Sequence, residues 1–252
     1  MSEWAIGLMT LVCVYAGALV GLGLQRLLPE HHLSNESKDS VKLVAGLLAT
    51  LSALVLGLLI ASAKTSFDAV GDALKQSAAK VIIIDRLLAE YGPEAKGVRE
   101  QLKRQYAERV ARLFPDAGAG SVKVAPEASA VEGFQRSLRT LKPATDEQRA
   151  ILSRVQQLAD EVTQTRWLAF EEQTSSTPSA FLTVLVSWLV MMFVSFGLFT
   201  PRNATAFGAL FFGALAVATS IFLIEEMNHP FDGFITIPRE PMRNALSVLG
   251  QI

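Results

Sequence analysis

Residues 41–91 decide the fold: VKLVAGLLATLSALVLGLLIASA runs from Val41 to Ala63, and KTSFDAVGDALKQSAAKVIIIDRLLAEY from Lys64 to Tyr91. The first part is an apolar run of membrane-spanning length, and the second is amphipathic and contains no proline. Because no residue at the junction would stop a helix, the stretch predicts one continuous helix that leaves the bilayer. At about 1.5 Å per residue, this helix would extend about 75 Å, well beyond a hydrocarbon core of about 30 Å.

Three further apolar runs complete the membrane-embedded part of the chain. The first, about 4–28, follows Glu3 with no preceding Lys or Arg and is longer than the apolar core of a signal peptide. The third and fourth, about 179–200 and 205–225, are joined by a turn at Arg202-Asn203 that is short enough to make them antiparallel neighbours. The sequence therefore predicts an all-α integral membrane protein of the cell or inner membrane with four transmembrane helices.

Residues 64–177 predict an α-helical extramembrane domain, partly coiled-coil-like, that continues helix 2 and is inserted between spans 2 and 3. A heptad-like seam with steps of three and four residues comprises Phe67, Val70, Leu74, Ser77, Val81, Ile84, Leu88 and Tyr91. Further amphipathic helices follow at 94–114, after Pro126 and after Thr145, where Thr145 and Gln148 form a predicted capping box. Residues 115–125 form a predicted linker.

The predicted domains are therefore 1–63, 64–177, 178–227 and a proline-rich tail at 228–252, with a short amphipathic helix near 242–249. Three carboxylates, Glu225, Glu226 and Asp232, lie where the fourth span leaves the membrane. They could hold a hard cation, or they could simply be interfacial charges. No other group has the spacing of a metal site, and no cofactor is expected.

Small residues recur along the second span at three- or four-residue steps: Gly46, Thr50, Ala53, Gly57 and Ala61. Such a stripe permits close approach of helix backbones in lipid, and it could equally line a narrow pore between subunits. Lys64 and Asp68 follow one turn apart, at the membrane-exit junction. Lys64 is typical of a side chain that extends to the headgroups, while in a pore both residues would lie near the mouth.

Several function classes are disfavoured by composition. A net charge of −1 gives no basic excess for nucleic acid. Residues 64–177 contain neither His nor Cys, which excludes Cys–His or Ser–His nucleophilic catalysis there, so no enzyme is predicted. The interiors of the four spans lack charged residues and histidine, which disfavours a proton-coupled transporter.

The combination of several stretches resembles the bestrophin-like family of four-span membrane proteins. These stretches are LPEHHL, GLLATLSALVLGLLIASAKTSFD, IDRLLAEYGPEA, SWLVMMFVSFGLFTPRNATA and LIEEMNHPFDGFITIPREPMRNAL. The resemblance implies a likeness to bestrophins, which are oligomeric anion channels with a helical cytoplasmic region. The segment Asn228–Gly233 is similar to the turn before the calcium clasp of animal bestrophins, but the run of acids and the aromatic neck of those channels are missing.

Two hypotheses follow for function, and both place the protein in the lipid bilayer. The first is a homo-oligomeric ion channel lined by the second span. The second is a non-catalytic membrane scaffold or sensor that binds a protein partner through its helical domain. The side of the membrane stays open: Arg26, Lys38, Lys42 and Arg202 place the short loops in the cytoplasm by the positive-inside rule, whereas the resemblance places residues 64–177 there.

Overall fold

The computed structural model describes residues 3–27, 29, 35–114, 128–174, 179–231 and 233–251, which contain α-helices and no strand. The all-α fold class is therefore confirmed. In chain order the helices are α1 Glu3–Leu24, α2 Asn35–Tyr91, α3 Lys96–Leu113, α4 Ala128–Thr140, α5 Asp146–Thr174, α6 Ser179–Phe199, α7 Ala204–Met227 and α8 Glu240–Val248.

Four of these helices, α1, α2, α6 and α7, are long and apolar enough to cross a membrane. They correspond to the four predicted spans, except that α1 ends at Leu24, before the predicted end at about residue 28. The helix α2 is continuous over 57 residues, as the proline-free junction after Ala63 predicted. It begins at Asn35, ahead of the predicted Val41, because the polar residues 35–40 add a turn and a half of helix before the apolar run.

The chain divides into two compact units, and α2 contributes to both. The membrane unit comprises Met1–Thr65 and Ser176–Asn228, and the helical unit comprises Ser66–Ser175 and His229–Ile252. In the membrane unit α1 packs against α6 and α7. The predicted turn between α6 and α7 is present, and the Asn203 side chain caps α7 by accepting a hydrogen bond of 2.8 Å from the Ala206 amide. Contrary to the prediction, the two spans do not pack closely along their described lengths, because each of them packs against α1 instead.

The helical unit is built on the seam of α2. Phe67 is partly buried, and the remaining seam residues are buried. Their apolar members join one core with apolar faces of α3, α4 and α5. The seam is therefore covered by the chain's own helices, because each returning helix is amphipathic on one side and buries that side against its neighbours.

The capping box at the start of α5 also ties this helix to the end of α2. The Thr145 hydroxyl accepts a hydrogen bond of 3.1 Å from the Gln148 amide, as predicted. The Gln148 side-chain oxygen accepts from the Ala144 amide at 2.8 Å, one residue before the Thr145 amide that a capping box uses. Its side-chain nitrogen donates to the Tyr91 carbonyl at 3.0 Å, which satisfies one of the terminal carbonyls of α2.

The C-terminal segment belongs to the helical unit rather than forming a tail apart from it. The predicted amphipathic helix is α8, and four apolar side chains of this segment join the core: Ile237, Met242, Ala245 and Leu249. A backbone hydrogen bond of 3.0 Å from the Ile237 amide to the Pro230 carbonyl closes the turn before α8. The predicted linker 115–125 and the helix start at Pro126 lie outside the described residues.

Candidate functional site

The small-residue stripe lies on an exposed face of α2. Gly46, Thr50, Ala53, Gly57 and Ala61 are all exposed within the single chain, and a Cβ atom added at either glycine would meet nothing within 4 Å. Among the described residues the stripe is therefore largely uncovered, and it is open to a second molecule or to lipid. Its assignment as pore-lining or helix-packing surface stays a prediction.

A different face of the same helix is buried in the membrane unit. Ala45, Ser52, Leu59 and Ala63 are buried there, spaced seven, seven and four residues apart. At 100° per residue, the stripe is centred about 130° around the helix from this buried line. Because the two faces are separate, packing of α2 within its own chain does not explain the small residues.

A third face of α2 is exposed and rich in leucine. Its members are between 38% and 77% exposed, and they are Leu43, Leu47, Leu51, Leu54 and Leu58. By the same helical geometry, this leucine face lies about 80° beyond the stripe. The leucine face has the composition expected toward acyl chains, whereas the stripe has the composition of close helix contacts in lipid.

The polar atoms of the stripe are satisfied by the helix itself. The Thr50 hydroxyl donates to the Gly46 carbonyl at 3.0 Å, and at the junction the Thr65 hydroxyl donates to the Ala61 carbonyl at 2.9 Å. Each hydroxyl oxygen still has acceptor capacity toward the exposed side. The stripe can therefore face lipid without an unsatisfied donor, or it can present weak oxygen ligands to a passing ion.

Lys64 and Asp68 continue the face on which the stripe lies. Both side chains are exposed, and their four-residue separation on one uninterrupted helix makes them surface neighbours. The stripe is thus followed, at its end away from Asn35, by one cation and one anion. These are the groups that would act on an ion electrostatically if the stripe lined a passage.

The predicted acidic cluster is described only in part. Glu225 and Glu226 lie in the last turn of α7 and are buried, at 9% and 1% exposed, while Asp232 lies outside the described residues. Among the residues that the structure describes, no group of three or more His, Cys, Asp or Glu side chains could hold a metal ion. The burial is informative, because a carboxylate at a helix C-terminus opposes the helix dipole and needs compensation from its surroundings. The cation site stays a prediction.

The closest helix packing in the membrane unit involves glycines that the sequence interpretation overlooked. A Cβ atom at Gly21 would overlap the Val194 carbonyl oxygen, and one at Gly197 would overlap the Ala18 carbonyl oxygen. α1 and α6 are therefore in backbone contact. Gly17 and Gly21 in α1 have the GxxxG spacing of close membrane helix pairs, which is the sequence signal that could have identified this contact.

A buried ion pair in the helical unit was also overlooked. Asp85 of α2 is 2% exposed and accepts two hydrogen bonds from the Arg99 guanidinium, at 2.9 and 3.0 Å. The Gly250 amide donates a third at 3.1 Å. Hydrogen bonding by Asp85 raises the pKa of Arg99 despite the opposing effect of burial. The three groups join α2, α3 and the C-terminal segment, and we call them the Asp85 clasp.

Comparison with known proteins identifies the family. The family model of the bestrophin-like domain matches residues 12–242. The chain belongs to the bestrophin-like family. The resemblance seen in the sequence stretches is thereby confirmed, and with four apolar helices this bestrophin-like chain is an integral membrane protein. Among curated proteins, none matches the sequence.

Solved structures share the fold at low identity. Two variants of a bacterial bestrophin homologue from Klebsiella pneumoniae are 14% and 15% identical, with TM-scores of 0.67 and 0.68. The matches cover 97% and 100% of this bestrophin-like chain and 99% of each homologue. A further structure, described as a membrane protein, gives a TM-score of 0.68 at 14% identity. The likeness extends over nearly the whole chain and therefore includes both units.

Proposed function

We propose that the protein is a homo-oligomeric ion channel whose pore is lined by the stripe of α2. The observation that carries the proposal is the separation of two exposed faces on one membrane helix, one of leucines and one of small residues. A helix that met only lipid would gain nothing from this difference. Membership of the bestrophin-like family and the shared fold with bacterial bestrophin homologues support the same assignment.

In this proposal ion passage is a matter of geometry and electrostatics, with no catalytic step. Ala and Gly leave room along the passage, and the charges of Lys64 and Asp68 act where the stripe ends. Coulomb interactions are strong in a narrow passage with low-dielectric walls, so charge changes at these two positions would alter selectivity. Lys64→Glu should shift the reversal potential toward cation preference, and Asp68→Asn should shift it toward anion preference.

Single-channel recording in planar bilayers tests the proposal directly. We expect conductance from the purified protein, and we expect Ala53→Trp to reduce it at least tenfold by filling the passage. Leu54→Trp is the matched control, because this neighbouring residue of the same helix is 70% exposed on the leucine face. Electrical silence with both anions and cations, or equal effects of the two substitutions, would eliminate the pore.

The mass of the protein in detergent provides an independent test. A passage lined by α2 needs several copies of the chain, because the stripe of one chain occupies only one face of one helix. We expect a single oligomeric species whose mass is unchanged by dilution within the working range. A strict monomer would exclude the shared pore.

The alternative, a non-catalytic scaffold or sensor, is supported by a groove on the helical unit. Its volume is about 480 Å³, and it lies between α3 and the end of α4. Polar and charged side chains line most of it, among them Glu94, Gln101, Ser137 and Lys142. If a protein partner binds here, Gln101→Trp should abolish its capture while leaving membrane insertion unchanged. Retained capture would exclude the groove as the partner site.

A further inference from the structure

Two arginines interrupt the apolar faces of the helical unit. On α5 the buried residues Ile151, Val155, Leu158 and Val162 step by three or four residues, and the next position of this face is Arg166. On α3 the buried residues Tyr106 and Val110 flank the sequence position of Arg109. Both arginines are partly buried. Burial of a cation beside an apolar core costs free energy unless an anion pairs with it.

Two independent pairings place these arginines at the same level of α2. Arg99 of α3 bonds Asp85, and Glu161 of α5 forms an ion pair of 3.2 Å with Lys80. The capping link from Gln148 to Tyr91 shows that α5 runs antiparallel to α2, and α3 runs antiparallel to it after the turn at Pro93–Ala95. Arg109 lies ten residues beyond Arg99, and Arg166 lies five residues beyond Glu161. Because both helices run antiparallel to α2, each arginine is therefore expected beside residue 75 of α2.

Two polar atoms of this cluster lack partners in the part of the chain that the structure describes. The Tyr106 hydroxyl and the Arg166 Nε are buried, and neither has a hydrogen-bond partner there. No described carboxylate forms an ion pair with Arg109 or Arg166, although other cations of the unit, such as Lys80 and Arg99, have one. Buried polar groups are nearly always bonded, so among the described residues the cluster is incomplete.

The electrostatics indicate the charge of the missing group. Burial and the neighbouring Arg166 charge lower the pKa of Arg109 to about 9, and burial lowers the pKa of Arg166 to about 10. Burial also raises the pKa of Tyr106 to about 12, so its hydroxyl remains a donor. At neutral pH both guanidinium groups stay charged and repel each other. An anion would pair with both and accept the tyrosine proton in a hydrogen bond.

We propose that Tyr106, Arg109 and Arg166 form a binding site for a phosphate group. Guanidinium groups match tetrahedral oxyanions because each can donate two parallel hydrogen bonds, and a hydroxyl can fill a third position on the same ligand. The phosphate group could belong to a free anion or to a lipid headgroup, and the chemistry at the site is the same. The site is separate from the stripe of α2, so it does not depend on the channel proposal.

The test uses the full-length protein in a non-ionic detergent that contains no phosphate group, titrated with inorganic phosphate at constant ionic strength. We expect saturable binding by calorimetry, weakened at least tenfold in Arg109→Gln and in Arg166→Gln. Arg104→Gln is the control, because Arg104 is an exposed cation on the same helix. A second arm replaces free phosphate with nanodiscs that contain phosphatidic acid. Saturable binding that is seen only in that arm, and is weakened in the two arginine variants, would assign the phosphate to a lipid.

Unfolding temperatures separate a binding site from a purely structural role. In phosphate-free buffer and a non-ionic detergent without phosphate groups, Arg166→Gln should raise the unfolding temperature, because it removes repulsion between two partly buried cations. With phosphate present, the wild-type protein should have the higher unfolding temperature of the two, since only the wild-type protein is stabilised by the ligand. Tyr106→Phe keeps the buried ring and should weaken binding severalfold. The absence of saturable binding in both arms, or equal binding by wild type and both arginine variants, would overturn the proposal.

Discussion

At the scale of single residues, the glycines of α1 differ in what surrounds them. A side chain at Gly21 would collide with the backbone of α6, whereas Gly23 faces open space. Gly21→Leu should therefore separate α1 from α6 and destabilise the protein by more than the about 1–3 kcal/mol of ordinary overpacking, since backbone must move. Gly23→Leu should be nearly neutral. Thermal unfolding in detergent measures both, and equal losses would show that the α1–α6 contact is looser than described.

The Asp85 clasp leads to a second residue-scale prediction. Asp85→Ala leaves the Arg99 guanidinium, 14% exposed at its side chain, without its carboxylate, and we expect a loss of about 3–5 kcal/mol. Asp72→Ala breaks an ion pair with Lys75 in which both side chains are more than half exposed. Such surface pairs contribute at most about 1 kcal/mol. Denaturant unfolding in detergent compares the two, and similar midpoints would contradict a stabilising clasp.

Residue-scale features differ in how far the sequence could reveal them. The glycine pair of α1 was detectable, because its spacing is local and follows from helix geometry. The clasp was not, because the Gly250 amide that completes it lies 165 residues from Asp85. An isolated Asp beside an apolar seam looks like an exposed charge until its partners are located. The same holds for Arg109 and Arg166, whose proximity depends on how two separate helices return along α2.

At the scale of helices, the start of α5 is held to the end of α2 by one side chain. Gln148 bonds both the Ala144 amide and the Tyr91 carbonyl. Gln148→Ala should cost about 1–2 kcal/mol, which combines a lost cap with a lost interhelical bond. Gln157→Ala, at an exposed position of the same helix, should cost less than about 0.5 kcal/mol. Hydrogen exchange of the amides in the first turn of α5 should accelerate only in the Gln148 variant.

Helix-scale prediction succeeded where periodicity was strong. Three features could be predicted from the sequence: the seam of α2, the capping box and the tight turn at Arg202-Asn203. Each depends on residues within one or two helical turns. The C-terminal segment was harder. Its prolines correctly excluded a long helix, but its few apolar residues gave no indication that they enter the core of the helical unit. That association depends on long-range packing rather than on local propensity.

At the scale of the whole molecule, the channel proposal predicts where copies of the chain meet. With Cys13 replaced by Ser, Ala53→Cys should form disulfide-linked dimers on mild oxidation in the membrane, because the stripes of several chains would surround a narrow passage. Leu54→Cys should remain monomeric on a denaturing gel, since it faces lipid. Crosslinking of both to the same extent would show that the contact between copies is not specific to the stripe.

A final consequence concerns the angular phase of α2. At 100° per residue, the buried positions Ala45, Ala63 and Leu88 lie within about 20° of one direction around the helix axis. One alanine inserted after Ala63 would advance everything beyond it by about 100° and put the two parts of the helix out of step. Seven inserted residues would restore the phase to within about 20° while lengthening the helix by about 10 Å. We expect the longer insertion to be the better tolerated in thermal unfolding, because it preserves the direction of the buried positions on both sides of Ala63.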